Sequence, residues 1–269
     1  MSDHGEQRVA KIMAQRGMCS RREAERLIEV GSVQVNGVVM REQGCKAPYD
    51  AEIILNAHGS RRLAAHTTVV LHKPVGIVST QPEEHQTAAW TLLTADRAWG
   101  DNDGEALSRV LAKPWTMAVS GRLDLESRGL LLLTQNGVLA KRLTGGNSVS
   151  KHYLVSVDRQ VRPEDLQRLR GAWTLDGHDL LPMQVNQAGP RELRFSLIEG
   201  RKHQIRRVCL ECGLEVVDLL REGIGPWRLG KLPEGHFQIV DQQVVQDFLA
   251  ETTPKPKKPS RPRSNFRDR

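Results

Sequence analysis

Apolar positions recur at helical spacing twice near the start of the chain. Val9, Ile12 and Met13 share a face within residues 8 to 16, and the run stops at Gly17. Ala24, Leu27 and Ile28 make a second stripe, which opens on an S-x-x-E capping box formed by Ser20 and Glu23 and stops at Gly31. VQVNGVVM then alternates about Asn36 and Gly37, the pattern of a tight hairpin, and Glu52 to Leu55 offers a further strand. Two helices and a small sheet are therefore expected within about sixty residues. Residues 58 to 67, HGSRRLAAHT, hold too few apolar positions for a core element and read as a linker, with Arg61 and Arg62 free to meet backbone phosphate.

Past this linker, VVLHKPVGIVST reads as a buried strand broken by Lys73, Pro74 and Gly76. Residues 81 to 115 are mostly polar, with short helical patches around Leu92 and Leu107. The most apolar run lies in GRLDLESRGLLLLTQNG, residues 121 to 137, where Leu130 to Leu133 predict a fully buried strand. If Thr116 to Ser120 arrives as a strand with Met117, Ala118 and Val119 inward, Arg122 and Asp124 point the same way. Gly121 and Gly129 bracket the segment and permit tight backbone geometry at both ends. Taken alone, these residues also fit an ordinary charged turn between core strands.

Further helices are expected at 139–143, 163–169 and 244–249, and strands at KHYLVSV, within 180–198 and at 216–220. In EGRKHQIRRVCLECG, Ile205, Val208, Cys209 and Cys212 fall on one helical face, with Lys202, Arg206 and Arg207 off it. Long loops and mixed strand order argue against a doubly wound parallel sheet and predict an α+β chain with a mainly antiparallel mixed sheet flanked by helices.

A chain of 269 residues with 39% hydrophobic content has room for one sizeable domain and one small one. Its net charge of +7 suggests a polyanionic partner, yet residues 251 to 269 alone hold seven Lys or Arg against Glu251 and Asp268. That leaves +2 for the body. The basic, proline-rich tail cannot build a core and suits either an RNA-tethering arm or a solubility tail. Four cysteines are too few and too irregular for a disulfide framework. The Cys209, Cys212 pair lies inside a helical pattern, so packing is expected and no bound metal. No run is long enough to cross a membrane, and MSDHGEQRVA lacks an apolar signal region, so the expected location is cytoplasmic.

GRLDLESRGLLLLTQNG resembles the signature of the pseudouridine synthases of ribosomal RNA grouped with RsuA, RluB, RluE and RluF. The resemblance implies that Asp124 is the catalytic residue and that Arg122 enters the duplex as the target uridine swings out. HKPVGIVST resembles that family's N-K-P-x-G segment, with His72 in place of the usual Asn, and is closest to the RluF-type large-subunit version. KHY resembles the K-x-Y motif, which makes Tyr153 the ring that stacks on uracil. EGRKHQIRR resembles the third motif and implies an ion pair from Arg206 to the catalytic Asp. CSRREAERLIEVGSVQVNG resembles the RNA-binding module named after ribosomal protein S-four, in which Arg21 and Arg22 would meet RNA.

Lys73, Lys151, Lys202 and Arg207 complete the expected RNA-binding set. The expected organisation is an S-four-like domain over 6–64, a catalytic domain over 68–250 and the tail over 251–269. The implied reaction converts uridine to pseudouridine in ribosomal RNA, free or within a ribosomal precursor, with no cofactor and with the chain acting as a monomer. Three alternatives stay open: a small-subunit or tRNA site, a noncatalytic RNA-binding assembly factor, and a carboxylate-pair glycosidase using Asp124 and Glu126. The last is disfavoured, because two positions on one extended segment give little control of carboxylate separation and aromatic content is only 4%.

Overall fold

The computed structural model describes residues 5 to 146 and 149 to 252. The tail expected from residue 251 onward thus lies, beyond Thr252, outside the described residues.

Helices Val9–Gln15 and Arg21–Glu29 pack their apolar stripes on a three-stranded antiparallel sheet ordered Val38–Met40, Val33–Val35, Ile53–Leu55. Asn36 (φ 47°) and Gly37 (φ 80°) are both left-handed, as a two-residue hairpin turn between right-twisted strands requires. The Ser20 hydroxyl accepts the Glu23 amide at 3.2 Å, so the expected cap forms. The Glu23 carboxylate turns elsewhere, to Arg62 Nε at 2.8 Å and Arg26 at 3.5 Å.

That ion pair explains a correction. The stretch expected to be a linker holds a helix, Ala57–Ala64. Asn56 caps it through the Gly59 amide at 2.9 Å, Leu63 packs against the N-terminal core, and Arg62 ties it to Glu23. With one apolar anchor and one polar one, its attachment leaves no hydrophobic periodicity to read.

The rest of the chain is built on a nine-stranded mixed sheet. The main path runs Gln184–Gly189, Glu192–Leu197, Lys151–Val157, Val216–Ile224, Arg128–Thr134, Thr68–Lys73, Phe237–Ile239. Neighbours along this path are antiparallel except Arg128–Thr134 with Val216–Ile224, which run parallel. Helix Gln204–Glu211 buries Ile205, Val208 and Cys209, and with Cys212 these join Tyr153, Val155 and Phe195 in one core cluster. Burial pushes the Cys209 thiol up to about 12, in keeping with a packing role.

Two further corrections bear on the site. The strand before the signature spans Ala118–Ser120 rather than beginning at Thr116, and Ala118 is exposed, while Met117 is buried. The strand expected to end at Leu220 continues to Ile224. It therefore carries Arg221 into the middle of the sheet, where only 1% of its surface remains exposed.

Candidate active site

The parallel pair in the sheet sets the geometry. Arg128 lies opposite Leu220, and Gly129 opposite Arg221. Gly129 has φ +110°, and a Cβ there would sit 2.5 Å from the Arg221 carbonyl oxygen and 2.6 Å from its amide nitrogen. Only glycine allows this approach. The approach brings the Arg221 side chain under the loop that runs from Gly121 to Ser127.

Arg221 spends its donors on that loop and on the strand beyond it. Nη2 donates to the Gly121 carbonyl at 2.8 Å, Nη1 to the Arg122 carbonyl at 3.1 Å, and Nε to the Leu130 carbonyl at 2.8 Å. Burial pushes its guanidinium down from the ordinary arginine range, and the Tyr153 phenol and the Asp124 carboxylate act in the opposite sense. A buried guanidinium is costly unless its fork is satisfied, and here every nitrogen has a carbonyl to point at.

Other elements hold the rest of the loop. The Ser79 hydroxyl accepts the Leu123 amide at 2.9 Å and donates to the Leu123 carbonyl at 2.6 Å. The Gly76 amide donates to the Leu125 carbonyl at 2.9 Å, and the Ser127 amide closes a turn on the Asp124 carbonyl at 3.2 Å. Arg206 Nη2 donates to the Glu126 carbonyl at 2.9 Å. From Gly121 to Glu126, each carbonyl therefore has a donor. A backbone fixed this way presents the Asp124 side chain without further reorganisation.

Asp124 is one-third exposed and lines a cleft of about 480 Å³. Arg122, Lys151, Tyr153, His203, Arg206 and Arg221 share that lining, and the volume falls within the range of small-molecule sites. His203 begins the helix Gln204–Glu211 in a left-handed conformation (φ 53°), and its Nε2 stands 3.9 Å from Asp124 Oδ1.

The expected ion pair from Arg206 to Asp124 is not formed. Arg206 lines the same cleft, but its guanidinium donates to the carbonyls of Glu126 and Val216. Its hold on the loop is through backbone, and the buried guanidinium that interacts electrostatically with the Asp124 carboxylate is that of Arg221. A charged residue reads as the end of an apolar run, so the sequence pattern stops the strand short of Arg221. The signal present was the alternation of Leu219, Arg221 and Gly223, all buried.

The expected RNA contacts divide. Arg21, Arg22 and Lys202 are exposed, and Arg122 sits exposed at the rim of the cleft. Lys73 is not on a surface at all: its side chain is fully buried, with Nζ donating to the carbonyls of Pro74 at 2.7 Å and Ile77 at 2.8 Å. Burial first, then Arg221, lowers its ammonium to about 8, against the pull of Asp124, Glu126 and Glu234. Lys151 is also buried, lines the cleft, and is lowered by burial and by Arg221. Arg207 is forked onto Asp176 with two bonds of 2.8 Å. Tyr153 is 8% exposed and is part of the cleft lining.

A family model described as RNA pseudouridylate synthase matches residues 67–211, and one described as S4 domain matches residues 7–44. The dual-specificity RNA pseudouridine synthase RluF of Escherichia coli (strain K12) is 30% identical over 267 residues, covering 96% of this chain and 85% of that protein. An uncharacterized RNA pseudouridine synthase of Mycobacterium leprae (strain TN) is 33% identical over 258 residues, covering 92% of this chain and 94% of that protein. Among solved structures, a crystal structure of pseudouridylate synthase matches with a TM-score of 0.58 at 22% identity, covering 89% of this chain and 98% of that one, and supports the fold. With a small RNA-binding domain followed by a catalytic domain on a mixed sheet, the chain belongs to the RNA pseudouridylate synthase family and is an RNA-modifying isomerase of the RluF type.

Proposed function

We propose that this chain isomerises a uridine of large-subunit ribosomal RNA, with Asp124 as its catalytic residue. The reading rests on one observation above all. Asp124 opens into the cleft on a loop whose backbone is held by Arg221, Ser79, Gly76 and Arg206.

The reaction breaks the bond from uracil N1 to the sugar C1′, rotates the base while it is held, and forms a bond from C5 to the same C1′. The C5 proton then leaves and N1, released from the sugar, takes up a proton, so the product is an isomer and the atoms balance with no external group. Asp124 acts either as nucleophile at C1′ or as the base that removes the C2′ proton. Both routes need a carboxylate on the sugar side of a base taken out of its stack. Extrusion costs a few kcal/mol, which contacts from Arg122 and stacking on Tyr153 offset. Arg206 contributes by holding the Glu126 carbonyl, and Arg221 holds the loop from below.

HKPVGIVST supports large-subunit ribosomal RNA as the substrate, through its likeness to the RluF-type segment. Mapping pseudouridines by chemical adduct and primer extension in cells with and without the gene tests this. The expected result is one position lost from large-subunit RNA. A map unchanged in ribosomal RNA, with a position lost from tRNA instead, overturns the ribosomal assignment.

A further inference from the structure

We infer that helix Gly137–Thr144 is an RNA rail joining the N-terminal domain to the catalytic cleft, and that Lys141 and Arg142 grip the sugar-phosphate backbone along it. The inference rests on reading the cleft as the uridine site. It begins with a close approach between the two domains. A Cβ placed on Gly137 would lie 2.4 Å from Cβ and 2.9 Å from Oγ of Ser20, the residue that caps helix Arg21–Glu29. The start of this catalytic-domain helix therefore abuts the helix N-terminus from which Arg21 and Arg22 project into solvent.

The other end of the helix reaches the cleft, where Leu143, Thr144 and Gly146 contribute to its wall. Gly137, Lys141 and Thr144 stand at i, i+4 and i+7, so they form one stripe down the helix, while Leu139 and Leu143 face the core. Lys141 is exposed midway along the stripe, and Arg142 is half-buried beside it. The eight residues span about 12 Å. That distance matches roughly four stacked nucleotides at about 3.4 Å each.

Charge supports the assignment. Many cations in this chain are matched to carboxylates, as Arg62 is to Glu23, Arg128 to Asp218, Arg159 to Asp165 and Arg207 to Asp176. Among the described residues, the side chains of Arg21, Arg22, Lys141 and Arg142 have no hydrogen-bond or ion-pair partner. Four cations free of internal partners, arrayed from one domain contact to the cleft wall, suit a polyanionic strand whose next few nucleotides deliver the uridine.

The test measures binding of a fluorescein-labelled oligouridylate, long enough to run from the cleft to Arg21, in the full chain carrying Asp124→Asn so that no chemistry intervenes. Adding Lys141→Gln with Arg142→Gln keeps good helix formers and removes two charges. The plot of log affinity against log salt is expected to flatten by about 1.4, the loss of two single-strand phosphate contacts. Gly137→Ala is expected to weaken the long oligonucleotide severalfold and leave unchanged one short enough to fill only the cleft. Ser20→Gly in that background removes the clash and is expected to restore long-RNA affinity. An unchanged salt slope in the Lys141, Arg142 pair overturns the rail, as does wild-type long-RNA binding by Gly137→Ala. If the slope flattens while the wild-type chain makes no pseudouridine, the rail stands and the reading of the cleft fails.

Discussion

Arg221 Nη2 donates to the Gly121 carbonyl across 2.8 Å, a bond that joins residues 100 positions apart and fixes the first residue of the candidate catalytic loop. The same guanidinium holds Arg122 and Leu130 through their carbonyls. It positions the loop that carries Asp124 and does so from inside the sheet.

Arg221→Lys should therefore keep the charge and lose the fork. A single ammonium cannot reach three divergent carbonyls from one place, so about two charged hydrogen bonds disappear, worth roughly 1.5 to 3 kcal/mol each. Turnover on RNA is expected to fall by about 10²-fold or more, with KM changed far less. Steady-state kinetics on a transcript containing the modified site check this; turnover within twofold of wild type contradicts it.

Arg206→Gln should be milder. Arg206 secures Glu126 and Val216 through their carbonyls, at the far end of the loop, and has no ion pair with Asp124. A loss of about tenfold in turnover is expected, the cost of roughly one hydrogen bond. A loss equal to that of Arg221→Lys would show that Arg206 swings onto the carboxylate when RNA is bound.

Gly129→Ala tests the close approach that makes the site possible. The added carbon would be driven into the Arg221 backbone at a φ that side chains rarely adopt. A loss of at least about 2 kcal/mol in urea unfolding is expected. An unchanged midpoint would mean the two strands can part here without cost.

Lys73 should titrate near 8 rather than near its ordinary 10.5. Because its folded value is depressed, the unfolded chain binds more protons between these two values. Folding stability from this group therefore rises as pH climbs from about 8 to about 10.5, and its burial cost is fully present below 8. The side-chain carbon next to Nζ, followed by NMR, is expected to shift with a midpoint near 8. A midpoint above 10 contradicts the burial argument.

Most of the fold was legible because hydrophobic period and turn chemistry agree in this chain. The helix Pro163–Leu169 matches the pattern to the residue, and the Asn36-Gly37 hairpin follows from turn conformation alone. The misses share one cause, polar residues whose partners are distant in sequence. Lys73 reads as a surface cation until the turn that follows it folds back and supplies two carbonyls. Arg221 reads as a strand terminator because its three acceptors lie 91 to 100 positions away. Helix Ala57–Ala64 is held by Arg62 on Glu23, a contact that no apolar period announces. Asp124 is singled out as the candidate only by the likeness of its surrounding motif; the clamp that fixes its loop carries no such signal in the sequence.

Asp124→Asn is the most direct test of the central claim, because it exchanges one oxygen for nitrogen and leaves every backbone bond of the loop in place. Under single-turnover conditions, with RNA bound at saturation, pseudouridine formation is expected to fall by about 10³-fold or more while RNA affinity holds. Pseudouridine formed at a rate within tenfold of the wild-type chain would contradict the account.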